Sequence, residues 1–65
     1  RMAVVDRNIL RLGVSELDKG ETLPLIVVNA CVELAKEYGG EGTHGFVNGV
    51  LDSYCKEHGI ELKRA

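Results

Sequence analysis

This chain has no tryptophan, one phenylalanine and two tyrosines in 65 residues. A core of packed aromatic rings is excluded, and an aromatic off the core line needs its own explanation. There is one proline, Pro24, so no proline-rich linker. There are two cysteines, far below the density of a disulfide scaffold. No apolar run approaches the roughly 18 residues of a membrane-crossing helix, so no membrane partner is expected. Positive charge is also short. Eight Lys and Arg stand against ten Asp and Glu, for a net charge of −2. Nonspecific nucleic-acid affinity comes from cations that neutralise phosphates, so an acidic chain binds poorly unaided. A local basic patch remains open, since distribution counts as well as total.

What is present is an ordinary globular composition, 45% hydrophobic, without repeats or low-complexity stretches. The length allows one domain, residues 1–65. Such a chain buries only about 60% of its extended surface. It is marginal without a staple, metal or partner. It opens on Arg1 rather than methionine, which points to a processed chain or an excised domain. Cys31 and Cys55 both fall on apolar helical stripes, as buried free thiols do in a reducing compartment; a disulfide between them is the other option. Cys55-x-x-His58 supplies two of the four ligands of a structural zinc, so no metal is expected. Nothing calls for a cofactor.

Hydrophobic periodicity predicts an all-α chain of three helices, over about 4–19, 23–38 and 43–58. In the first, Ile9, Leu10, Leu12, Gly13, Val14 and Leu17 share a face. Arg7, Asn8, Arg11, Ser15 and Asp18 occupy the other side. Asp6 suits the positive end of the helix dipole, and Gly20 is a stop signal. The second opens near Thr22, a candidate N-cap, and Pro24, and stops at Gly39-Gly40. Its polar residues, Asn29, Glu33, Lys36 and Glu37, form one narrow stripe. A helix so broadly apolar belongs at the centre, and two others barely cover it. The third starts at Thr43, a candidate N-cap, with Val47, Val50, Leu51, Tyr54 and His58 as its core stripe and Gly59 as its stop. Ile60 and Leu62 in the tail can dock on the bundle, and Lys63 and Arg64 add positive charge. Short connections make this a three-helix antiparallel bundle.

Catalysis is not expected. There is no Ser-His-Asp order, no HExxH and no GxxxxGK phosphate loop. Glu33 and Glu37, spaced i, i+4, fit a solvated stripe. The remaining signals are for binding, and each has a plain structural reading beside it. Phe46 lies some 80–90° off the third stripe. It is either a half-covered rim residue or a stacking platform, and stacking on an unpaired base is worth about 1–3 kcal/mol. Gly45 and Gly49 share a helix face, where each costs about 1 kcal/mol against alanine. They either admit a neighbouring helix or leave a shallow floor beside Phe46. Thr43 and His44 open a helix whose free N–H groups cap locally or attract anions. Asn48 can bond a base or a loop backbone. Arg7 and Arg11, four apart, form either a solvated face or a pair for phosphates or an acidic partner.

These stretches resemble the C-terminal half of the NusB family of transcription antitermination factors. The resemblance is carried by DRNILRLGVSEL (Asp6 to Leu17) and LPLIVVNACVELAKEYGGEGTHGFVNGVLD (Leu23 to Asp52). Within them stand Glu16-Leu17, Pro24 with Asn29, Glu33 to Lys36, and the FVNGVL run from Phe46 to Leu51. The span is 47 of 65 residues. The resemblance implies the C-terminal part of a NusB-like helical fold, in which a missing N-terminal half packs beside this one. It implies partnership with the ribosomal protein NusE and recognition of boxA, a single-stranded element of ribosomal RNA transcripts. It implies an RNA role for Arg11, Phe46, Thr43 and His44, and a NusE-interface role for Asp6. The family often has an acidic residue where Gly42 stands and a basic one where Gly45 stands. The first change relieves repulsion of phosphate, and the second removes a phosphate contact. Two other readings stay open: an accessory domain of a ribosomal RNA cytosine methyltransferase, and a structural interaction fragment. The expected location is cytoplasmic, or plastid in a eukaryote.

Overall fold

The computed structural model describes residues 4–62; Arg1, Lys63 and Arg64, noted above, lie outside them. Three α-helices follow in order, α1 Val4–Lys19, α2 Pro24–Tyr38 and α3 Thr43–Glu57, and no strand occurs among the described residues. The boundaries agree with the periodicity to within a residue. Each helix packs on both others. The chain runs up, down and up, so α1 and α3 start at the same end. Exposed i, i+3 and i, i+4 pairs, Glu16–Lys19 (3.7 Å), Glu33–Lys36 (3.4 Å) and Asp52–Lys56 (3.4 Å), decorate the outer faces. Such pairs contribute a few tenths of a kcal/mol each.

The core combines Ile9, Leu10 and Leu17 of α1, Val27, Val28, Cys31 and Ala35 of α2, and Val47, Leu51 and Cys55 of α3. It corrects the expected stripes in two places. Leu12 is half exposed rather than inside. On α3 the buried line is Thr43, Val47, Leu51 and Cys55, whereas Val50 and Tyr54 are half-buried and His58 is exposed. The small thiol of Cys55 takes the inner position, and His58 stacks on the outer side of Tyr54 with ring centroids 4.1 Å apart. Both cysteines are free and buried. Burial raises the pKa of each thiol, and Asp52 adds to the effect at Cys55. The stability this contributes is intact below the ordinary thiol value of 9.0 and is lost as pH rises from there toward the raised folded-state values.

The expected N-caps are also corrected. Leu23 rather than Thr22 precedes α2, with no side-chain cap. Pro24 needs none for its own absent N–H. Gly42 rather than Thr43 precedes α3, again without a side-chain cap. The end of α3 is well formed. The Gly59 N–H donates to Lys56 O and the Ile60 N–H to Cys55 O, at 3.3 and 2.8 Å. With Gly59 at φ 66°, this is a Schellman ending. It turns Ile60 back onto the core, where Leu62 also packs.

Within the helices, the close approach is at Gly13. A Cβ there would come within 2.9 Å of Cys31 Sγ and 3.1 Å of Leu51 Cδ2. The Cys31 thiol, 3.8 Å from Ile9 O, donates to that carbonyl one turn away. Gly13→Ala should therefore destabilise the bundle by about 1–3 kcal/mol through overpacking, despite alanine's better helix propensity. Urea unfolding followed by circular dichroism measures this, and an unchanged or raised midpoint would contradict the close approach.

Candidate nucleic-acid interface

The expected binding residues sit at consistent levels of the bundle. Gly13 of α1 faces Leu51 of α3. Counting back from that contact at about 1.5 Å per residue puts Arg11 level with Gly49, and Arg7 level with Gly45, each one residue along from Asn48 and His44. Arg7 and Arg11 are exposed and lie along an open strip of α1 with Val14, Ser15 and Asp18. Neither arginine is in an ion pair among the described residues.

The α3 residues do not all share one side. Phe46 and Asn48 each stand about 100° from the buried Val47, in opposite directions. His44 falls on the Asn48 side. Phe46 falls with Gly45, Gly49, Val50, Ser53, Tyr54 and Glu57, which line a shallow hollow of about 600 Å³. Phe46 is 46% exposed, so its ring rims the hollow rather than filling the core. A Cβ on Gly45 or Gly49 would meet nothing within 4 Å. The two glycines therefore leave an open floor and admit no helix of the bundle.

At the start of α3, Gly42 has φ 83°, a left-handed conformation that suits glycine, asparagine and aspartate. Thr43 follows, 7% exposed, with its methyl turned toward Gly39. A Cβ on Gly39 would strike Thr43 Cγ2 and Ala35 O at 2.6 Å, so the turn is tight at that point. The Thr43 N–H donates to Gly40 O and the Phe46 N–H to Gly42 O. The N–H groups of His44 and Gly45 lack backbone partners among the described residues. What this helix start offers outward is two amides and the His44 ring.

Asp6 lies on the core-facing side of α1, one turn before Leu10. Its Oδ1 is buried without a hydrogen-bond partner among the described residues. A second apolar surface lies between α1 and α2, where Leu12 (51% exposed), Ile26 (54%) and Leu23 (68%) stand with Ala30. The predicted shortage of cover for α2 takes this form. Sequence reasoning missed Ser53, Tyr54 and Glu57 as hollow walls. The i+3 and i+4 spacing of Ser53 and Tyr54 from Gly49 and Val50, with Glu57 one turn further on, carried the signal. Among the described residues, no group of His, Cys, Asp and Glu is placed to hold a metal, and no helix is long and apolar enough to cross a membrane.

Among the described residues the chain is an all-helical bundle with a shallow aromatic hollow on α3. The model of the NusB family matches residues 1–56, and the chain belongs to that family. Transcription antitermination protein NusB of Fervidobacterium nodosum is 44% identical over 64 residues, 97% of this chain and 45% of the relative. The Thermotoga maritima protein of the same name is 46% identical over 64 residues, with the same coverage. That of Anaeromyxobacter dehalogenans is 54% identical over 52 residues, 80% of this chain and 37% of the relative. The chain thus spans less than half the length of these curated relatives. They are bacterial and non-enzymatic by name, and the plastid setting finds no support in them. No solved structure matches the chain significantly.

The glycine floor gives a prediction opposite in sign to that for Gly13. Gly49→Ala meets open space, so it should stabilise the bundle by up to about 1 kcal/mol. A raised urea midpoint is the expected result; a lowered one would mean that something packs on the floor.

Proposed function

We propose that this chain is the C-terminal half of an antitermination factor and that, together with NusE, it recognises boxA-like single-stranded RNA in bacterial ribosomal RNA transcripts. The observation that carries the reading is Phe46, an exposed ring over an open glycine floor, in a chain of the NusB family. Single strands are bound by stacking unpaired bases on aromatic faces. Phe46 and the hollow take a base. Arg7 and Arg11 take phosphates at matching levels on α1, and the free amides beside His44 offer a further anion contact. Asn48 reads or positions the strand from the other flank of α3. The relatives are antitermination proteins, which favours this reading over the methyltransferase accessory domain. The setting is the bacterial cytoplasm.

Two protein surfaces complete the proposal. Asp6 faces NusE, because a donor arriving at that end of α1 would satisfy its buried Oδ1. The aliphatic surface of Leu12, Leu23, Ile26 and Ala30 receives the N-terminal half, which relatives of twice the length possess.

Titration of a fluorescent boxA-like oligonucleotide, with and without NusE, tests the core of this reading. Phe46→Ala should weaken binding by about 1–3 kcal/mol while the helical signal and unfolding midpoint hold. Unchanged affinity would remove Phe46 from the RNA face. Asp6→Ala should reduce only the enhancement by NusE. For the aliphatic surface, the N-terminal half of the Thermotoga maritima relative can be supplied as a separate polypeptide. Ile26→Glu should abolish its association by burying an unpaired charge, whereas Phe46→Ala should leave it intact. Equal association of both variants would place the contact elsewhere.

A further inference from the structure

We infer that the hollow on α3 selects a nucleobase bearing an exocyclic amino group over uracil, and that Glu57 makes the selection. The inference rests on the reading of α3 as an RNA face and adds which base that face takes.

The shape comes first. Phe46 stands toward one end and Glu57 toward the other, eleven residues and about 16 Å apart along the helix, with Tyr54 between them. The floor between them is open at Gly49. Tyr54 is held on one side by its stack with His58, so it is a fixed wall rather than a swinging ring. A flat, mostly apolar object fits between these limits.

The polar walls then decide its chemistry. They are Ser53 and Glu57, and no lysine or arginine lines the hollow. A phosphate has no cation here and would face a carboxylate, so the base rather than the backbone of the strand enters. A carboxylate only accepts hydrogen bonds. The amino groups of cytosine, adenine and guanine donate to it, and Glu or Asp accepting from cytosine N4 is an established pairing. Uracil has no amino group. Its one N–H on the pairing edge is flanked by two carbonyl oxygens, which repel the carboxylate. The Ser53 hydroxyl both donates and accepts, so it accompanies any base without choosing among them.

Glu57 is also misplaced for the fold. It is the last residue of α3, where the helix dipole disfavours negative charge. It forms no ion pair among the described residues. Its carboxylate is therefore not engaged by a cation of the bundle and stands at the wall of the hollow.

The test compares 12-nucleotide oligocytidine and oligouridine, which differ at the pairing edge, by fluorescence anisotropy at low salt on the 65-residue chain with NusE present. The wild type should bind oligocytidine about fivefold more tightly. Glu57→Gln keeps the size but adds an amide donor, so the ratio should fall to about one with the helical content unchanged. Gly49→Leu fills the floor and should cost at least about tenfold with both oligomers. A wild-type ratio of one, or a ratio that survives Glu57→Gln, overturns the inference. If both oligomers bind equally and Phe46→Ala weakens both, base selection fails and the RNA face stands. If neither binds, both fail together.

Discussion

The bundle depends on one close contact, where α1 passes over Cys31 and Leu51 at Gly13. Only a residue without a side chain permits it, since a Cβ would sit 2.9 Å from the Cys31 sulfur. The thiol there is a space-filling apolar group with a weak donor, which it spends on the Ile9 carbonyl. Because all three helices meet at this level, it sets the heights of everything outside. Arg11 stands level with Gly49, and Arg7 with Gly45, as consequences of one buried junction. The binding residues are thus arranged by a contact that none of them touches.

Three helices of this length leave apolar surface over, and the remainder divides into two kinds. Between α1 and α2 it is aliphatic, with Leu12, Leu23 and Ile26 prominent. On α3 it is aromatic at Phe46 and Tyr54, bare at Gly49 and polar at Ser53 and Glu57. Largely aliphatic area, with Glu16 and Thr22 as its polar walls, suits burial against another protein, where shape and area matter more than donors and acceptors. Aromatic faces beside a hydroxyl and a carboxylate suit a planar ligand with a hydrogen-bonding edge. The same shortage of core therefore yields two surfaces with different partners, distinguished by side-chain chemistry rather than by exposure.

Much of this was legible in the residues. The three helices, their antiparallel order, the central α2 and the off-core Phe46 follow from period and spacing. What did not follow has identifiable causes. Thr22 and Thr43 look like caps, but a proline opens α2 and a left-handed Gly42 opens α3, so neither helix start uses a hydroxyl. His58 and Cys55 both lie within reach of the α3 stripe. Packing chose the smaller and left the imidazole to stack on Tyr54. Gly13 lay on the expected core face, yet periodicity alone cannot tell a glycine that is crowded from one that is open. Gly45 and Gly49 show the other outcome. That distinction depends on where the neighbouring helices pass, a tertiary fact. The burial of Asp6 Oδ1 and the use of Glu57 as a wall are tertiary for the same reason.

On the proposed reading, the acidic balance constrains how such a module holds RNA. Counterion release scales with the number of phosphates neutralised, and two arginines on α1 neutralise few. Phosphate attraction therefore cannot dominate, and the hollow, which holds a carboxylate, opposes it locally. The remaining source of affinity is stacking on Phe46 and the edge contacts around it, which are short-ranged and depend on an unpaired base. An arrangement of this kind discriminates before it binds tightly. It gains strength when another protein supplies positive charge to the same strand. Dependence on a basic partner is then a physical consequence of having aromatic and acidic groups where a self-sufficient RNA binder would have lysines.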